Sequence, residues 1–397
     1  MAQEFFVFDI SYVDRVDSFD VFVDNIIGQI EKGLHIQSLL FTFEGLNDWM
    51  DQTTIVEEIV DAGFSISANH KNYDKFTFYD YTNEISFTNN ITTSIFNSSL
   101  TEQKGWLCLP LKDNTVSLKS AINSAKHFKA LISFLVNEYL KFTSIHFDLL
   151  IGISSNKNSE SDNEEKLFYT IPGSYFFIEV GKVITRSKKY PNSFSSIKDH
   201  LQTMMDRWLS DNERFQFIVS NYLGELKLQG FLEEKILNSI RNLEVYHRNF
   251  CEKDKEKDID LKEALQELSE YIDSKYEEDL AKKIFIFPKE ITLRERLKDF
   301  FRGLPNEIQQ LLFHEETSIA KSIRTLANRL VETRNYYTHG DDFQKYPNKI
   351  SDYDEMFLID LKLKLILRYY IFLELGLSSD LTLDLLDHDI NRLRKLI

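Results

Sequence analysis

From about residue 195 to its end the chain spaces its apolar residues with the period of an α-helix, and no other feature narrows its possible folds as much. The period predicts helices over 196–208, 211–222, 230–250, 259–280, 290–303, 305–313, 317–339, 352–375 and 380–395. Lys253 to Asp260 is a charged linker between two of them. Upstream the pattern changes. Glu4 to Phe8 and Leu39 to Phe43 read as buried strands, and Asn47-Asp48-Trp49 turns the second into a helix. Lys75 to Thr82 begins as a strand with Phe76 and Phe78 on one face, and Asn83-Glu84 reads as the turn into Ile85 to Thr88. A helix is predicted over 117–143, striped by Ile122, Ala125, Phe128, Leu131, Leu135 and Leu140. Ser154 to Lys166 is a polar loop, and Leu167 to Val180 returns to strand-like residues with Pro172-Gly173 as a turn. The fold class is therefore α+β. A β-rich N-terminal domain over 1–195 precedes an all-α bundle over 196–397, with the boundary near Tyr190-Pro191-Asn192-Ser193.

Charge restricts function. The chain carries a net charge of −16, with 17 basic and 26 acidic residues over 1–200 and 30 basic and 37 acidic over 201–397. Such a chain does not bind nucleic acid indiscriminately; any contact with RNA needs a local basic patch or one completed in an oligomer. The two cysteines show neither a disulfide framework nor zinc spacing. Cys108 reads as a small buried hydrophobe and Cys251 closes a helix, which favours a reducing cytoplasm. The N-terminus lacks the regions of a signal peptide, and the apolar runs are interrupted well before the ~20 residues that span a bilayer, so no membrane partner is expected. No phosphate-binding glycine loop and no metal-ligand spacing is present, and the expectation is no cofactor and no metal.

The segment that carries chemistry is Thr317 to Asp342. Thr317 or Ser318 can cap a helix, and Ile319, Ile323, Leu326, Leu330 and Val331 keep helical spacing. Arg334-Asn335-Tyr336-Tyr337-Thr338-His339 follows, and Gly340 is suited to stop the helix. An arginine forks onto a phosphate and stabilises charge growing there. A histidine can take a proton from a ribose 2′-OH or give one to a leaving 5′-oxygen. Together they suffice for metal-free RNA cleavage through a 2′,3′-cyclic phosphate. His339 lies in the last turn, where exposed carbonyls favour the imidazolium. Asn335, four residues earlier, can orient the ring or the phosphate. Five residues on an ideal helix are about 140° of rotation and about 7.5 Å of rise, so Arg334 and His339 do not share a face. A second copy across a symmetric dimer completes the site more comfortably. Arg324 and Arg329, on the same helix, are candidates for the RNA groove, ahead of Lys282-Lys283 and the Arg294 to Lys298 cluster.

The Arg334 to His339 segment resembles the Arg-X4-His signature of HEPN ribonucleases. Leu243-Glu244-Val245-Tyr246-His247-Arg248 looks like the Glu-x-x-His-Arg helix of the ApeA-like HEPN domain. Phe41-x-Phe43-Glu44-Gly45-Leu46-x-x-Trp49 resembles a motif of the ApeA N-terminal domain, and Met204-x-x-Arg207-Trp208 fits the junction. The resemblance implies an anti-phage protein of the abortive-infection kind. In it a sensing N-terminal domain, acted on by a phage-derived trigger, controls a HEPN nuclease that dimerises and cuts RNA, with tRNA as the substrate. Carried over, Arg334 and His339 match the catalytic pair, Asn335 the polar partner and Glu244 an acidic position near the site. Arg248, His247 and Tyr337 are then substrate contacts, although Glu244 and Arg248 are also an ordinary i,i+4 helix pair. The competing expectation is a non-catalytic HEPN module that binds RNA or a partner, which the overall acidity favours. A third is a ligand sensor in the β-rich half.

Overall fold

The computed structural model describes residues 35–50, 55–60, 63–68, 76–78, 83–93, 101–110, 118–154, 166–175, 190–228, 230–251, 259–276, 291–313, 318–340 and 342–397. Side chains are described for 38–50, 120–143, 145–147 and, except at 259–265 and 343, for the described residues from 190 onward. The strand expected at Glu4 to Phe8, the interiors of the 154–166 loop and the 253–260 linker, Thr317 and Lys282-Lys283 lie outside these residues. So does the side chain of Cys108. The chain divides into two compact units, Met1–Asn212 and Glu213–Ile397. The helix Phe194–Ser210 thus falls in the first unit, past the 195/196 boundary read from the sequence.

The first unit is built on an antiparallel sheet. Its strands are β1 (His35–Phe43), β2 (Ile55–Val60), β3 (Gly63–Ala68), β4 (Phe76–Phe78), β5 (Asn83–Thr93), β6 (Thr101–Pro110), β7 (Phe142–Ser154) and β8 (Lys166–Tyr175). Six form one sheet in the order β4-β5-β6-β1-β7-β8, while β2 and β3 pair as a separate hairpin. Helix α1 (Leu46–Trp49) follows β1, α2 (Leu118–Leu135) lies against it, and α3 (Phe194–Ser210) ends the unit. The predicted stripe of α2 is the buried one: Ile122, Ala125, Phe128, Leu131 and Leu135 are all in the core. Phe41 meets Phe128 and Phe142 edge-on, with centroids 6.1 and 6.2 Å away.

Three expectations are corrected here. The helix over 117–143 ends at Leu135, because Asn137 adopts a left-handed φ of 57° and the Glu138 N–H returns to the Ser133 carbonyl at 3.0 Å. The chain then re-enters the sheet as β7, and Leu140, though buried, is beyond the helix. Pro172-Gly173 is not a turn: both pair along β8, opposite Asp148 and Phe147. A proline is tolerated there because, among the described residues, β8 is an edge strand, paired on one side. Asn83 and Glu84 already pair with Phe78 and Thr77, so the reversal falls between Phe78 and Asn83.

The motif around Trp49 is a structural joint. Phe41, Phe43, Leu46 and Trp49 are buried, and the Trp49 indole N–H donates to the Asn192 carbonyl at 3.1 Å. Asn192 donates in turn to the Leu135 carbonyl at 2.7 Å. Gly45 has φ 76°, and a Cβ there would lie 2.3 Å from the Tyr190 hydroxyl, so only glycine fits.

Among its described residues the second unit is helical: α4 (Asn212–Lys227), α5 (Leu232–Tyr246), α6 (Ile259–Lys275), α7 (Leu293–Gly303), α8 (Asn306–Phe313), α9 (Ile319–His339), α10 (Tyr353–Glu374) and α11 (Ser379–Arg394). The helix expected over 230–250 changes pitch after Tyr246 into a π-helical turn, His247–Cys251. Arg214 fixes that turn by donating to the Asn249 carbonyl from Nε (3.1 Å) and Nη2 (2.5 Å), and Phe250 stacks on Tyr246. Helix α10 is the spine; α5 and α11 pack on it, and α9 packs on α5, α7 and α8. The Arg368 guanidinium, fully buried, is paired with Asp389 of α11. Among the described residues no helix is long and apolar enough to cross a membrane.

Candidate functional site

The motif helix α9 ends as its sequence dictates. Its last residue is His339, and Gly340 takes a left-handed φ of 62° while its N–H bonds to the Tyr336 carbonyl. Ser318 sits at the N-cap position but makes no capping hydrogen bond. The chain after Gly340 is strapped back onto α9. Thr333, fully buried, accepts from the Ile350 N–H at 2.8 Å, and Glu332 accepts from the backbone and side chain of Asn348 at 2.7 and 3.0 Å. Arg329 donates to the Asn348 carbonyl at 3.1 Å. These bonds fix the helix end that carries the motif.

Helices α5 and α9 enclose a pocket of about 560 Å³, lined by Leu237, Asn238, Arg241, Glu244, Val245, Arg248, Arg334 and Thr338. The first five are spaced i, i+1, i+4, i+7 and i+8, one face of α5, and Arg248 follows from the π-helical turn; the last two are i and i+4 on α9. Three guanidinium groups and one carboxylate therefore converge in a chain that is acidic as a whole. Glu244 and Arg248 pair at 2.8 Å along the helix. Arg334 donates to the Asn335 side-chain oxygen at 3.1 Å, so Asn335 braces the arginine. His339 is exposed beyond Thr338 and does not line the pocket, as the 140° between it and Arg334 requires.

Other expected contacts fall elsewhere. His247 is corrected from a substrate contact to a core residue, with 1% of its surface exposed. Arg296 Nη1 lies 3.2 Å from its Nδ1 and Asp299 3.5 Å from its Nε2, while Phe300 meets the ring edge-on. Since a guanidinium can only donate, Nδ1 accepts and the ring proton sits on Nε2, facing Asp299. Arg329 is held in a forked ion pair with Glu355, Nη2 to Oε2 at 2.8 Å, and does not reach the pocket. Arg324 is exposed on α9, away from the pocket lining. Tyr337 packs edge-on against Tyr336, and burial, then the nearby Glu233, raises its hydroxyl pKa. Of the Arg294 to Lys298 cluster, Arg296 is buried. Among the described residues no three His, Cys, Asp or Glu side chains form a group that could hold a metal. Arg241 escaped the sequence reading, although its spacing from Glu244 and Arg248 on one helical face was a usable signal.

Residues 237–381 match the family model described as Apea-like HEPN. The second unit carries an Apea-like HEPN domain. The match takes in most of α5 and all of α6 to α10, and so includes Glu244, Arg334 and His339; it does not extend into the first unit. HEPN domains are generally ribonucleases, and the type supports a nuclease-like, anti-phage role at the level of the family. No curated protein and no solved structure matches the chain.

Proposed function

We propose that this HEPN domain is a metal-independent endoribonuclease that cuts tRNA during an abortive, anti-phage response, and that two copies of the chain complete each site. The supporting observation is the pocket between α5 and α9, where Arg334 lies beside Glu244 and Arg248 and, among the described residues, makes no ion pair. Arg334 then grips a non-bridging oxygen of the scissile phosphate, held in aim by Asn335. The ribose 2′-oxygen attacks phosphorus while Glu244 takes its proton. The bond to the 5′-oxygen breaks, and that oxygen receives a proton from the His339 imidazolium of the second copy. The products are a 2′,3′-cyclic phosphate and a 5′-hydroxyl. The first unit is the sensor that a phage trigger acts on.

One observation favours a second reading, a HEPN module that binds RNA without cutting it: in a single chain His339 stands outside the pocket that holds Arg334. The deciding experiment is cleavage of total tRNA in excess EDTA by wild type, Arg334→Ala and His339→Ala, with the product ends mapped, with and without phage lysate. Cleavage by wild type alone, leaving cyclic phosphates, supports the nuclease. RNA binding that is lost in Arg334→Ala but kept in His339→Ala, with no scission under either condition, supports the binder.

A further inference from the structure

The proposed reaction uses Arg334, Glu244, Asn335 and His339, and leaves two arginines of the pocket without a task, Arg248, paired with Glu244, and Arg241. Arg241 enters the pocket from α5 one turn before Glu244. Among the described residues it makes no ion pair; its guanidinium lies instead over the Phe217 ring of α4, 4.9 Å from the centroid. Four other arginines of the domain are paired with carboxylates: Arg248 with Glu244, Arg329 with Glu355, Arg368 with Asp389 and Arg394 with Glu307. In a chain with 63 acidic residues, a pocket where three arginines meet one carboxylate, itself paired with Arg248, is an anion site kept open. Phe217 itself is 38% exposed, so the stacked pair presents a flat aromatic-cationic surface at the rim.

We propose that Arg241, stacked on Phe217, is a substrate-positioning residue that holds a second phosphate of single-stranded RNA, next along the strand from the phosphate at Arg334. The inference rests on the RNA-directed reading of the site. Arg241 and Arg248 are seven residues apart, about 10.5 Å along the helix axis, so the groove is longer than one phosphate needs. A pocket of about 560 Å³ falls in the ~300–1,000 Å³ range of small-ligand sites and suits a nucleotide unit. Its width is set by two packed helices, and the exposed ring at its edge offers a face for an unstacked base, which a duplex does not present. The substrate class is therefore a loop or other single-stranded stretch.

The test is binding of a fluorescein-labelled single-stranded oligoribonucleotide to full-length protein over a salt series, with a duplex of the same sequence beside it. The variants are Arg241→Ala, Arg241→Lys and Phe217→Ala, each in the His339→Ala background to prevent cutting. Arg241→Ala is expected to weaken binding about tenfold and to lower the slope of log affinity against log salt by about 0.7, one single-strand phosphate contact. Arg241→Lys keeps the slope but not the full affinity, because the point charge survives and the stacked fork does not. In His339-intact protein the loss falls on KM rather than kcat. An unchanged slope in Arg241→Ala, or tighter binding of the duplex, overturns the inference while leaving the nuclease reading standing. Absence of RNA binding by the parent protein at any salt overturns both.

Discussion

At the scale of single residues, the motif helix carries two kinds of arginine. Arg334 opens into a pocket and, among the described residues, donates to Asn335, whereas Arg329, five residues earlier, is locked onto Glu355 and the Asn348 carbonyl. From sequence both look like RNA contacts, because a helix pattern does not show which face a later loop will cover. The partner Glu355 comes from α10 and the carbonyl from the strap between them, and neither is local. Arg329→Ala should therefore reduce stability by about 1 kcal/mol, the size of a half-exposed forked pair, with RNA affinity of the folded protein unchanged. Denaturant unfolding alongside the binding assay checks this. A loss of affinity at unaltered stability would return Arg329 to the RNA contacts. His247 makes the same point in reverse. It lies one turn past Glu244, yet Arg296 and Asp299 of α7 draw it into the core, and no spacing within its own helix announces that.

At the scale of elements, Gly45 tests the joint of the first unit. A side chain there meets both a left-handed backbone, costing about 1–2 kcal/mol, and the Tyr190 ring. Gly45→Ala should destabilise the unit by about 2 kcal/mol or more, and by less in a Tyr190→Phe background, as thermal unfolding of the two pairs will show. The helices of the second unit were legible because each is announced by its own apolar period. The sheet was less so. Residues 142–154 follow a helix after only a short connection, and their alternation of buried Ile145 and Phe147 is brief. The pairings that define β1, with β6 and β7, join segments tens of residues apart. Pro172 looked like a turn because its place at a sheet edge is a property of the assembled sheet. The Arg334 to His339 motif was legible as a string, but the pocket was not, since it exists only where α5 packs on α9.

A buried polar knot between α4, α5 and α10 gives the second unit a pH signature. Glu225 lies 2.8 Å from Lys364, which lies 2.7 Å from Asp360, which accepts from Ser239 at 2.6 Å. Burial pushes the Glu225 carboxyl from the usual 4.5 up to about 7, with Lys364 pulling it down. The folded protein thus keeps a proton between those values that the unfolded chain gives up. Stability from this group is present at low pH, falls as pH rises through that window, and is level above it. Thermal midpoints measured from pH 5 to 7.5 should fall more steeply in wild type than in Glu225→Gln. Equal slopes would show that Glu225 is ionised throughout.

At the scale of the whole molecule, the proposed cleavage requires a chain of net charge −16 to present Arg334 and His339 to one phosphate. Within one copy the helix turns them to different sides, and only Arg334 lines the pocket. A symmetric pair of chains resolves this if each pocket receives the histidine of the other copy, and it makes a quantitative prediction. Arg334→Ala and His339→Ala proteins are each inactive alone. Mixed in equal amounts and allowed to exchange, about half of the dimers contain one of each. In such a dimer one site lacks both groups and the other has both, so about a quarter of wild-type cleavage should return. If both groups act from the same chain, every site in every dimer lacks one of them and nothing returns. Mixing therefore separates a shared site from a self-contained one without a structure of the dimer. It also gives a reason for the exposed position of His339: the residue that lies outside its own pocket is the one that a neighbour can use.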